Sequence, residues 1–226
     1  MGIQNKPSPM KVKGVADIVF CFDCTGSMTE IINSVKDNVG KLIEGFANYE
    51  TVIDWRARCL GYRDFEVDEE YLINDRPFVS TEEELKNQMA GMEAKEYTGG
   101  DEPESTLDAI WYAAKTSKWR DNCHKIVVVF TDETTKPVNE KTIAEIPGSD
   151  ADLDVLSQEI MTVQHIKLFL WGKKDSVYDA LSRIPQAEIV QLENPEEDYK
   201  TMDFSILMNT IGKTVSELIS GGGLTA

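Results

Sequence analysis

The feature that most constrains this chain is the run Ile126 to Phe130, five apolar residues that include three consecutive valines. An unbroken β-branched run with no polar alternation suits a strand covered on both faces, as in a parallel sheet flanked by helices. A second such run, Ile18 to Phe22, is led by Asp17, and Met28, Ile31, Ile32, Val35, Val39, Leu42, Ile43 and Phe46 then recur at helical spacing. Strand, turn and amphipathic helix therefore open the chain.

The same alternation continues to the end. Further strands are predicted at Ala57 to Tyr62, Ile166 to Trp171 and, more weakly, Ala187 to Leu192, with a short edge strand near Phe78 and Val79. Helices are predicted at Glu82 to Gly91, Pro103 to Ala114, through Leu153, Leu156, Ile160 and Val163, at Ser176 to Ile184, and from Phe204 to Ile219. The run Glu193 to Asp198 is acidic and contains Pro195, and reads as a solvated loop. The fold class is α/β: a Rossmann-like, mostly parallel open sheet with one antiparallel edge strand and helices on both faces. One domain is expected over 15–220, after a polar extension at 1–14 and before a flexible tail at 221–226.

Composition narrows the function. The 226 residues hold 40 Asp or Glu against 23 Lys or Arg, a net charge of −17. Such a surface cannot neutralise phosphates, which argues against nucleic acid and anionic membranes as partners. Hydrophobic residues make up 41 %, ordinary for a globular chain, so the acid sits on a folded body. No apolar run approaches the ~20 residues that span a bilayer, and no secretory signal or glycosylation sequon is visible. Four cysteines are too sparse for a disulfide scaffold. A soluble cytoplasmic protein is expected.

In an open α/β sheet, ligands bind beyond the carboxyl ends of the strands, where the strand order reverses. The first strand ends in Asp23-Cys24-Thr25-Gly26-Ser27, the valine strand in Thr131-Asp132, and Thr98-Gly99-Gly100-Asp101 leads toward the helix at Pro103. Parallel strands bring three aspartates and several hydroxyls to one mouth. Such carboxylates repel one another unless a cation compensates, and an all-oxygen donor set favours Mg²⁺ or Mn²⁺, then Ca²⁺, over Zn²⁺. Two segments, Ser27-Met28-Thr29-Glu30 and Asp101-Glu102-Pro103-Glu104, also fit a capping box, so a helix-capping role stands beside the metal role for each.

These residues resemble the metal-ion-dependent adhesion site (MIDAS) of von Willebrand factor type A (vWA) domains, whose pattern is Asp-x-Ser/Thr-x-Ser. The resemblance extends through Gly61-Tyr62-Arg63-Asp64, Gly99-Gly100-Asp101-Glu102-Pro103-Glu104 and Phe130-Thr131-Asp132, in the order of an intracellular-type branch, and covers about Asp17 to Ile219. It implies a cation held by Asp23, Thr25, Ser27 and Asp132, with one more ligand from Asp101 or Thr98. The family more often has a Thr where Asp101 stands. A third carboxylate leaves the cluster negative, so tight metal binding with modest affinity for an acidic partner is expected. Arg63 and Asp64 either brace the metal loop or form a salt bridge that fixes their own turn. The implied function is a metal-dependent scaffold or adaptor module, not an enzyme, which engages an Asp or Glu of another protein through the ion.

Two other functions are weighed. Asp23 could be the nucleophile of a Mg²⁺-dependent phosphohydrolase of the haloacid dehalogenase type, but that chemistry needs a second Asp two residues on, where this chain has Thr25. The domain could also be a metal-independent structural scaffold. Cys21 and Cys24 form a CxxC by letter, yet Cys21 lies within a strand, which suits a buried small residue better than a redox thiol. Gly212-Lys213-Thr214 lacks the first glycine of a phosphate loop, and His124 and His165 match no metal spacing.

Overall fold

The computed structural model describes residues 13–47, 52–64, 72–73, 75–92, 103–136 and 165–220. In chain order the described elements are β1 (Lys13–Asp23), a 3-10 turn (Gly26–Met28), α1 (Thr29–Ala47), β2 (Val52–Tyr62), β3 (Leu72–Ile73), α2 (Glu82–Ala90) and α3 (Thr106–Thr116). They continue with β4 (His124–Phe130), β5 (Ile166–Lys173), α4 (Ser176–Leu181), β6 (Ala187–Leu192), α5 (Pro195–Thr201) and α6 (Phe204–Ser220). The sheet order is β3-β2-β1-β4-β5-β6. β1 lies at the centre, parallel to β2 and β4, with Phe22 beside Gly61 on one side and Phe130 on the other.

β2, β1, β4, β5 and β6 are parallel, and the two-residue β3 pairs antiparallel with β2 at the edge. The strand expected at Phe78 and Val79 is instead a single antiparallel bridge from Val79 to Ala57. The helix expected through Leu153 to Val163, and the tail at 221–226, lie outside the described residues.

Alternation along each strand divides the core in two. Ile18, Phe20 and Phe22 pack with α1, α2 and α6, while Val19 and Cys21 face α3 and α4. α1 buries Ile31, Ile32, Val35, Val39, Leu42 and Phe46, the stripe seen in the sequence, and α6 answers with Phe204, Met208, Ile211, Val215 and Ile219. These two helices touch at glycines. A Cβ on Gly212 would fall 2.3 Å from the Leu42 carbonyl oxygen, and one on Gly45 would fall 2.9 Å from that of Asn209.

The run expected to be a solvated loop around Pro195 is helix α5. Proline is favourable at the first helical position, where its missing N–H is not needed, and Glu196, Glu197 and Asp198 suit the positive end of the helix. α3 begins at Thr106, three residues later than expected, with Ser105 at its N-cap.

At the amino end of the sheet Asp17, fully buried, is gripped by two arginines. Its Oδ1 accepts from Arg56 Nε at 2.9 Å and Arg120 Nε at 2.7 Å; its Oδ2 accepts from Arg56 Nη2 at 2.7 Å and the Arg120 backbone N–H at 2.8 Å. Burial opposes ionisation, but these bonds outweigh it and hold the Asp17 carboxyl below the usual carboxylate range. The clamp joins β1, β2 and the segment entering β4 at the end of the sheet away from the mouth.

Candidate functional site

β1 carries the chain to Asp23, and the Cys24 N–H donates to the Tyr62 carbonyl at 2.8 Å, so the turn after β1 is tied to the end of β2. Thr25 opens the 3-10 turn, with the Met28 N–H donating to its carbonyl at 3.1 Å. This tight turn folds the loop over Asp23. The Thr25 N–H and hydroxyl donate to Asp23 Oδ1 at 2.9 and 2.7 Å, and the Thr131 hydroxyl donates to Oδ2 at 3.0 Å.

Asp23 is fully buried, and Asp132 follows β4 on the neighbouring strand. Burial, and then the negative charge of Asp132, push the Asp23 carboxyl up to about 7 against the hydrogen bonds from Thr25 and Thr131. The lateral spacing of adjacent strands is what puts the two acids in each other's field. A cation beside them would offset that repulsion, and the groups nearest Asp23 are oxygen donors, the hydroxyls of Thr25 and Thr131.

Ser27 is exposed, at the outer side of the turn. The 3-10 turn has Thr25, not Ser27, at its N-cap, and no side-chain cap bond is made there. Cys24 is turned into the core, its Sγ 3.5 Å from the Phe22 carbonyl oxygen. Cys21, Cys24, Cys59 and Cys123 are all free and buried, and burial pushes the thiols of Cys21 and Cys24 up to about 12, the opposite of a redox-active pair.

Asp101 and Thr98 lie outside the described residues. Among the described residues, no group of three His, Cys, Asp or Glu side chains could hold a metal ion. Asp64, fully buried, accepts from Lys136 Nζ at 2.6 Å and so ties the end of β2 to the loop after β4. Arg63 is 3 % exposed beside it, and its Nε has no hydrogen-bond partner among the described residues.

Sequence reasoning missed three contributors. Thr131 was seen only as the neighbour of Asp132, yet its hydroxyl holds the second oxygen of Asp23. Lys136 carried no local signal, since its partner is 72 residues away. Tyr199 lies on the unexpected helix α5, its hydroxyl 2.9 Å from the Thr131 carbonyl oxygen and 3.0 Å from that of Trp171, and it anchors that helix to the ends of β4 and β5. Beside the mouth is a cleft of 690 Å³, lined among others by Ser27, Glu30, Asp132, Lys173 and Tyr199.

A parallel α/β sheet in the order β3-β2-β1-β4-β5-β6, with Asp-x-Thr-x-Ser where that order reverses, defines a Rossmann-like domain with its candidate site on the carboxyl rim. Residues 17–152 match the von Willebrand factor A domain model, and the chain belongs to that family. It is 25% identical over 214 residues to the alpha-protein kinase vwkA of Dictyostelium discoideum, covering 90% of this chain and 33% of that protein.

Among solved structures it resembles proximal thread matrix protein 1 from the mussel byssus with a zinc-occupied MIDAS motif, at a TM-score of 0.57 and 13% identity. A second crystal form of the mussel protein gives 0.57 and 14%. Each alignment covers 91% of this chain and 49% of the mussel protein. The chain thus spans a third of the curated relative and about half of the solved ones. Among the described residues, no helix is long and apolar enough to cross a membrane.

Proposed function

We propose that this domain is a metal-dependent protein-binding module, in which a divalent cation at the carboxyl rim receives an Asp or Glu side chain from a partner protein. The observation that carries the reading is Asp23: a fully buried carboxylate that lies in the field of Asp132 at the strand-order reversal, with hydroxyls arranged on both of its oxygens. Two such acids gain from a cation between them, which offsets their mutual repulsion.

The residues proposed to hold the ion are Asp23, Thr25, Ser27 and Asp132, with Asp101 or Thr98 as a further ligand. Asp23 is oriented by Thr25 and Thr131, and Asp132 is placed by the end of β4. Bound there, the cation would supply a positive, ligand-accepting centre on an otherwise acidic surface. The oxygen donors favour Mg²⁺ or Mn²⁺, and the zinc-occupied motif of the mussel protein supports a divalent ion of some kind.

Phosphoryl chemistry is less well supported. The Thr25 hydroxyl stands where a phosphohydrolase would place its acid-base carboxylate, and it is already donated to Asp23. The kinase activity in the name of the Dictyostelium relative is that protein's; for this chain the proposed role is a cytoplasmic scaffold or adaptor with no nucleic-acid partner.

The test is a pull-down from native lysate in Mg²⁺, in EDTA, and with Asp23→Ala in Mg²⁺. The reading expects one partner band present only in the first arm. A band that survives both EDTA and Asp23→Ala would refute it.

A further inference from the structure

The loop after β4 is stitched to the segment that enters α3. The Glu104 N–H donates to the Thr134 carbonyl at 3.0 Å and the Lys136 N–H to the Glu104 carbonyl at 2.8 Å, forming a parallel bridge between Glu104 and Thr135. Ser105 occupies the N-cap of α3 without a side-chain cap bond. Thr135 takes over that role from the other loop: its Oγ1 accepts from the N–H of Leu107, the second residue of the helix, at 3.2 Å.

Two side chains fasten this bridge to the body of the domain. The Thr135 N–H points to Asp175 Oδ2 at 3.4 Å, and Lys136 Nζ donates to Asp64 Oδ2 at 2.6 Å, with Lys136 8 % exposed and Asp64 fully buried. A buried lysine is rare unless paired, and a buried ion pair is a poor source of net stability because desolvation offsets its attraction. What the pair does achieve is geometric. It connects the end of β2, which also holds the turn after β1 through Cys24, to the loop that begins with Asp132.

We propose that Lys136 is a positioning residue for the cation site: its ion pair with Asp64 and its backbone bond to Glu104 fix the Asp132 loop against the Asp23 loop. This rests on the metal-binding reading given above. Asp23 ends β1 and Asp132 lies just past the end of β4, so their relative placement depends on what holds the loop after β4. Lys136, four residues on, holds it from outside the proposed ligand set.

The experiment is calorimetric titration of Mg²⁺ into the EDTA-stripped protein, with thermal melts in EDTA of the same variants. The charge-balanced double variant Asp64→Asn/Lys136→Met removes the pin without stranding a buried charge. It is expected to bind Mg²⁺ about fivefold or more weakly than wild type, while Lys136→Arg stays within about twofold because it keeps the charged donor. If the double variant does not melt cooperatively, Lys136→Gln replaces it, with a weakening of about threefold expected. Wild-type affinity in the variant, whatever its melting temperature, overturns the proposal. Absence of saturable Mg²⁺ binding by wild type overturns the parent reading and this one with it.

Discussion

Replacing Asp17 by Asn isolates the clamp at the end of the sheet away from the mouth. The carboxylate accepts four hydrogen bonds, two on each oxygen, all between 2.7 and 2.9 Å. An amide presents one carbonyl oxygen and one NH₂ group, so on one side donors meet donors and two bonds are lost, along with the charge that balances Arg56 and Arg120. Breaking a buried pair costs about 3–5 kcal/mol. The arginine side chains are 23% and 27% exposed, so water can reach them, and the low end, about 3 kcal/mol, is expected. For a domain of this size that lowers the melting temperature by about 6–12 °C. The Asp17 carboxyl is held below its usual range, so its contribution is complete above the unfolded carboxyl pKa and is lost as pH falls through the folded one. Melts followed by circular dichroism should therefore show a constant gap between wild type and Asp17→Asn from pH 7 to pH 5 that closes below about pH 4. A gap under 1 °C at pH 7, or one that persists undiminished at pH 2, would refute the reasoning.

Further outcomes are expected from other positions. Gly212→Ala forces a methyl against the Leu42 carbonyl, backbone on backbone, and should cost about 3 kcal/mol by urea unfolding. Gly40→Ala meets only the flexible end of Glu82 and should stabilise by up to about 1 kcal/mol; equal effects at the two glycines would show that the helix contact is misjudged. Tyr199→Phe strips a hydroxyl from the buried Thr131 carbonyl and should lower the melting temperature by about 2–8 °C, from a loss of about 1–2 kcal/mol; no change would mean that the α5 anchor is idle. In saturating Mg²⁺, about a hundred times Kd, wild type should gain about 2.7 kcal/mol over EDTA. Asp23→Asn, which removes one of two repelling acids, should match or exceed wild type in EDTA and gain nothing from Mg²⁺; a wild-type Mg²⁺ gain in that variant would contradict the assignment of Asp23.

Much of the fold was legible because one physical rule decided it. Runs such as Ile126 to Phe130 are apolar on both faces only where helices cover both, and the helical stripe of α1 reads directly as its buried face. The misreadings came where local signals compete. Pro195 marks a helix start as readily as a loop, and the acids after it favour the start; the helix expected from Pro103 starts only at Thr106, where Thr135 from another loop accepts from the N–H of Leu107. The placement of Asp23, Thr25 and Asp132 at neighbouring strand ends could be read, since sheet topology alone brings those ends together. The groups that orient them could not. Thr131 acts across a strand pair, and Lys136 reaches Asp64 over 72 residues, a pairing that no spacing in the sequence encodes.

The central claim, that the two acids at the strand-order reversal are arranged for a cation, is tested most directly by titrating Mg²⁺ into EDTA-stripped wild type and Asp132→Ala in a calorimeter. The account predicts saturable binding with one site per chain in wild type and none in Asp132→Ala, with both proteins folded by circular dichroism. Equal binding by the two, or no saturable binding by wild type, would contradict it.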